Sequence, residues 1–187
     1  MMNPKHHFVN YLKERHIYYE ENMLDKIPRI TMVFAGSEHC PGNRIESCVY
    51  FHDDSIEARV YYANPGPDVV RKSEHISDLY RLMNFLNAEV FPKNLDNADG
   101  TLYAPSYLVT PRFFVTEDGC NDITAMVVMD NDLFAVAPLE IEDYITIALP
   151  WLIGELAPYI FGVLLGNANA EYAIKLIKYS LLGVAEE

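Results

Sequence analysis

Twenty-two consecutive residues, Tyr144 to Leu165, carry one charge, Glu155. A run of that length is long enough to cross a bilayer. Otherwise it must be a helix buried by its own chain or by another. Three features argue against a membrane span. Glu155 sits near the middle, where hydrocarbon penalises a charge. Glu140, Glu142 and Asp143 precede the run, and no Lys or Arg cluster flanks it. Pro150 and Pro158 each remove a backbone donor. The run therefore reads as a buried helix, bent or broken at its prolines.

Within it, Pro150, Gly154, Pro158, Gly162, Gly166 and Ala170 recur every four residues. On a helix this spacing draws a slowly drifting stripe of small or flat side chains. Such a stripe lets a second backbone approach closely. That backbone belongs either to a sheet of the same chain or to a second subunit. Trp151, Leu152, Ile160 and Phe161 surround the stripe with more apolar surface than one sheet face needs. The expectation is a helix that is core and subunit contact together. Trp151, Leu152, Gly154, Pro158, Ile160, Phe161, Gly162 and Gly166 are its candidates for a homodimer interface.

The chain has 187 residues, enough for one domain over 1–187 with a sizeable core. Half of them are apolar, as in a globular protein. The net charge of -13 repels phosphate backbones and anionic lipid, which excludes nucleic acid as a direct partner. Cys40, Cys48 and Cys120 make an odd count and no disulfide framework. Residues 1–10 show no apolar signal-peptide core, so a cytoplasmic setting is the default.

Hydrophobic periodicity lays out the elements. Phe8, Tyr11 and Leu12 mark a helix near 4–15, with Asn3 as its cap. Three segments then alternate with period two. Their inner faces are Ile30, Met32 and Phe34, then Ile45, Ser47, Val49 and Phe51, then Ile56, Ala58, Val60 and Tyr62. They predict a three-strand meander over 29–63. Ser73 then caps a helix with Ile76, Leu79, Met83 and Leu86 on its apolar side. Residues 93–108 read as an inserted loop. Asp118-Gly119-Cys120-Asn121 reads as the turn of a hairpin, with 133–137 extending the second strand. A last helix over 170–183 starts at the cap Asn169. The predicted class is α+β, in the order α-βββ-α-ββ-α. An antiparallel sheet of about five strands carries helices on one face.

Two stretches resemble a known family. Leu82-Met83-Asn84-Phe85-Leu86-Asn87 is similar to the Asn-rich end of the central helix of the YbjN family of bacterial sensory transduction regulators. Arg112-Phe113-Phe114-Val115-Thr116-Glu117-Asp118-Gly119 is similar to the strand and turn that follow it. The fold of that family is similar to that of type III secretion chaperones. The resemblance covers element order over roughly residues 5–165. It implies a non-enzymatic, dimeric interaction protein and carries over no catalytic residue. The insertion, the prolines of the third helix and the extra last helix depart from the pattern.

Candidate chemistry is sparse. Cys48 and His52 on one strand would stand about 13 Å apart, too far to share a zinc ion with His39 and Cys40. Cys120 lies between Asp118 and Asp122, which disfavour a thiolate. Placing Gly100 as the glycine of a calcium loop puts Leu95 where an oxygen ligand is required and Ser106 where a bidentate Glu is required. Glu140, Glu142 and Asp143 read as helix-start charges. No catalytic residue, cofactor or metal is expected. On the mixed face of the meander, Tyr50 and Tyr61 are candidates for a partner surface, since aromatic residues anchor interfaces. Packing under a helix is the alternative. The function expected is a protein-interaction module, chaperone-like or regulatory, with an unknown protein or peptide partner. The rival is an enzyme or small-molecule sensor with an unrecognised site at Cys48 or His52.

Overall fold

Alternation with period two builds a six-stranded, wholly antiparallel sheet in the order β1-β2-β3-β4-β6-β5. The strands are β1 (Tyr19–Leu24), β2 (Ile27–Ala35), β3 (Arg44–Phe51), β4 (Ser55–Tyr62), β5 (Arg112–Val115) and β6 (Ile123–Asp130). The structure is a computed structural model that describes residues 3–89 and 110–183. Its register sorts side chains into two faces. Ile30, Val49, Ala58 and Val127 lie in one cross-strand row, all of them buried. The next row along, Thr31, Cys48, Arg59, Met126 and Arg112, points the other way.

The helices are α1 (Pro4–Glu14), α2 (Gly66–Lys72), α3 (Ile76–Glu89), α4 (Asn131–Val136), α5 (Pro138–Asp143), α6 (Leu149–Leu164) and α7 (Ala170–Ser180). One hydrophobic cluster joins them to the first face of the sheet. Asn3 caps α1 by accepting from the His6 N–H at 3.0 Å, and Asn169 caps α7 by accepting from Tyr172 N–H at 2.9 Å. The course from Pro138 to Leu164 is helical throughout. It passes from α5 through five residues of π-helix, Tyr144–Ala148, into α6. It is long and apolar enough to cross a membrane, and 56% of its most apolar window is buried inside this chain. Leu152, Ile153, Leu156 and Ile160 of α6 are buried, and the helix packs against β3, β4, α3 and α7.

Pro158 sits inside α6 and lacks the N–H that would pair with the carbonyl of Gly154. Ser37 Oγ donates to that carbonyl at 3.3 Å instead. The helix thus keeps its course without leaving the group orphaned. At the end of α6, Gly166 adopts φ 74°, and an added Cβ would lie 2.6 Å from His75 Nε2. A left-handed cap and a close neighbour both require glycine there. The four-residue stripe therefore ends with the helix, and Gly166 has a structural reason of its own.

The α+β class and the antiparallel sheet are as the periodicity predicts; several details differ. The sheet has six strands rather than five. β1 was not predicted, because its residues YEENML barely alternate in polarity and its turn, Asp25-Lys26, lacks glycine. Both turn residues take positive φ, 51° and 69°. α2 replaces a plain loop after Asn64-Pro65. Ser73 follows α2, and its hydroxyl donates to Leu164 O at 2.6 Å while accepting from His75 N–H at 3.1 Å. Residues 133–137 do not extend β6. Asp130 caps α4 there by accepting from Leu133 N–H at 2.6 Å. The insertion expected at 93–108 lies outside the described residues.

Asn87 ties α3 to the outer strand of the sheet. Its amide donates to Phe113 O at 2.9 Å and accepts from Phe113 N–H at 2.7 Å. The side chain thus pairs with the free edge of β5 as a neighbouring strand would. Asn87→Ala leaves both Phe113 groups unpaired in a part-buried setting. It is expected to cost about 2 kcal/mol in urea denaturation and to speed amide exchange at Phe113 first.

Candidate interaction surface

Every second residue of the central strands points away from the helices, and among the described residues no helix packs on that side. Tyr50 and Tyr61 both lie there. Arg29 and Arg59 reach over the Tyr50 ring from either side, with guanidinium carbons 5.9 and 5.4 Å from its centroid. Arg59 Nε pairs with Glu57 Oε1 at 2.6 Å, and Arg29 Nε donates to Asn22 Oδ1 at 2.6 Å. Tyr61 OH and Cys48 Sγ are 3.3 Å apart. Burial pushes the Tyr61 hydroxyl well above its ordinary pKa, so it stays protonated at neutral pH. The long side chains cover the small ones, leaving Cys48 only 4% exposed. Val33 and Val128, near opposite corners, stand 52% and 54% exposed. Alternation placed the two tyrosines on this face. The same parity also selects Arg29 and Arg59, a signal that appears once the strands are set in register.

At one end of this face Tyr61 borders a cavity of about 410 Å³ with Glu46, Arg71, Cys120 and Asp122. Burial raises the Asp122 carboxyl. Asp118 raises the exposed Cys120 thiol, as its negative neighbours predict.

The residues proposed for a subunit contact on α6 divide into two groups. Leu152, Ile160 and Phe161 point inward and are buried by this chain's own sheet and helices. Trp151 is 44% exposed, while Gly154, Pro158 and Gly162 lie half-buried along the outer side. Nothing lies within 4 Å of a Cβ added to Gly162, and only Ile45 Cδ1, at 3.8 Å, is near one on Gly154. Internal packing thus does not demand either glycine. Trp151, Phe34, Pro150 and Glu155 border a groove of about 350 Å³ on this side.

The carboxylates before the apolar run are not all helix-start charges. Glu142 is 1% exposed and its Oε1 lies 2.7 Å from His7 Nδ1. Tyr11 OH donates to Asp143 Oδ1 at 2.7 Å and lies 2.8 Å from Thr146 Oγ1. Thr146 Oγ1 donates to Glu142 O at 2.8 Å. Burial raises the Glu142 carboxyl, and His7 draws it part of the way back; burial also pushes Tyr11 up to about 12. This network clamps α1 onto the π-helical segment. Its partners are more than 130 residues apart in sequence, so no local pattern reveals it.

Cys40 and Cys48 are buried and unpaired, and His52 lies beyond the end of β3, beside a shallow cavity with Pro4 and Asn131. Among the described residues no three His, Cys, Asp or Glu side chains converge as metal ligands would. Compared with protein-family models, with curated proteins and with solved structures, the chain matches none.

Proposed function

We propose that this chain is a non-enzymatic protein-interaction module, homodimeric and chaperone-like or regulatory, that docks protein on the open face of its sheet. The observation that carries the reading is a six-stranded sheet that, among the described residues, has its helices on one side only. On the other side the Tyr50 ring is bracketed by Arg29 and Arg59. Tyrosine and arginine dominate binding energy at interfaces because they offer large area, hydrogen bonds and cation–π contacts together. The resemblance to YbjN regulators supports the same class of role. In this reading the apolar run is a core helix, the protein is cytoplasmic, and it takes neither cofactor nor nucleic acid.

Tyr50→Ala and Tyr61→Ala test it, because both side chains lie outside the hydrophobic core cluster. The tagged wild type is used as bait in lysate of its own cell, and bound protein, including untagged copies of itself, is quantified. Each variant is expected to weaken capture by about 30-fold, the size of an interface hot spot, with an unchanged melting temperature. Variants that bind everything the wild type binds would remove the surface. Failure to capture any protein, together with a small molecule that raises the melting temperature, would replace the reading with a sensor or enzyme.

A further inference from the structure

Resting on that reading, we infer that the occupant of the open sheet face is a second copy of this chain, packed sheet against sheet. The strand residues on this face include four arginines, Arg29, Arg44, Arg59 and Arg112. They also include four carboxylates, Glu20, Glu46, Glu57 and Asp130. The face is balanced, although the whole chain carries -13. The rest of the molecule therefore holds the entire excess of negative charge and repels its own copies. A cationic partner would be drawn to that acidic remainder. A strongly acidic partner would meet Glu57 paired with Arg59 and Glu46 on the same strand face as Arg44. An identical, balanced face meets both signs with both signs, which is what a two-fold contact requires.

Size and composition agree. Six strands of 4 to 9 residues, about 4.8 Å apart and rising about 3.4 Å per residue, give a planar footprint on the order of 700 Å². A stable interface buries about 800 Å² of accessible surface per partner, and a side-chain-covered face exposes more than its plane. Val33, Tyr50, Phe114, Met126 and Val128 supply the apolar part and the arginines the polar part. Two twisted sheets stack with their strands about 30° apart and about 10 Å between them. That spacing fits long side chains such as these.

The test is the oligomeric state of the full chain, by sedimentation and light scattering over about 1–100 µM, where interfaces of this size associate. Val33→Asp and Val128→Asp each add a negative charge at an exposed corner without touching the core. Trp151→Asp is the control on α6. The wild type is expected to be a dimer, weakened about 100-fold by either valine variant and unchanged by Trp151→Asp. Circular dichroism of each variant should match the wild type. A valine variant that does not fold is replaced by Arg59→Glu, read the same way. A monomeric wild type would overturn the inference. So would a dimer that Trp151→Asp dissociates and the valine variants do not, which assigns the contact to α6. A monomeric wild type removes the homodimer from the wider reading but leaves protein docking on this face, which falls if Tyr50→Ala and Tyr61→Ala leave all protein capture intact or if no protein is captured.

Discussion

Phe161→Ala is expected to destabilise the protein by about 3–5 kcal/mol, and by the same amount at every protein concentration. The ring is 6% exposed, meets the Tyr62 ring edge-on at 4.9 Å and packs near Gly66 at the start of α2. Tyr62 is itself fully buried and donates its hydroxyl to Ile153 O at 2.7 Å. The alanine therefore leaves a cavity between sheet and helix that this hydrogen bond keeps from collapsing. The surrounding structure relaxes only in part, so the lost transfer energy and the cavity add. Urea denaturation at two concentrations about 50-fold apart measures it, since unfolding linked to association would move the midpoint with concentration. A loss that appears only at the lower concentration would make Phe161 a subunit contact instead.

His7→Ala is expected to cost about 3 kcal/mol near neutral pH, the upper end for leaving a buried carboxyl without its hydrogen-bond partner. The loss should shrink as the pH falls from neutral. Burial holds the Glu142 carboxyl above its ordinary value of 4.5, and His7 opposes that rise. A carboxyl raised in the folded state keeps its proton more tightly there than in the unfolded chain. Its contribution is fully present below the unfolded value and is lost as pH rises through the folded value. Without His7 the folded value climbs further, so the variant's loss is largest near neutral pH and shrinks as the pH falls. Denaturation midpoints from about pH 4.5 to about pH 7 read this directly. In the double variant His7→Ala, Glu142→Gln the slope should disappear, because glutamine has no proton to exchange. A loss from His7→Ala that is equal at every pH would mean that Glu142 carries no buried charge.

What depends on nearest neighbours along the chain was legible in local pattern. Period two in 29–63 fixed three strands and assigned Tyr50 and Tyr61 to the face opposite Ile30, Val49 and Val60. Caps at Asn3 and Asn169 fixed two helix starts, because a side-chain oxygen three residues from an orphan N–H acts locally. The length and apolar composition of Tyr144 to Leu165 marked it as helix. Local pattern failed where the deciding contact is distant. β1 has little alternation of its own and is a strand because β2 offers it hydrogen bonds. Residues 133–137 are as apolar as a strand extension, yet the cap at Asp130 and packing beside α1 make them helix. Tertiary structure also decided which side of α6 faces in, turning Leu152, Ile160 and Phe161 to the core and Trp151 outward. It brought Glu142 to His7 across 135 residues, and it set Arg29 and Arg59 around Tyr50. Cross-strand register alone brings three side chains from three strands within reach of one another.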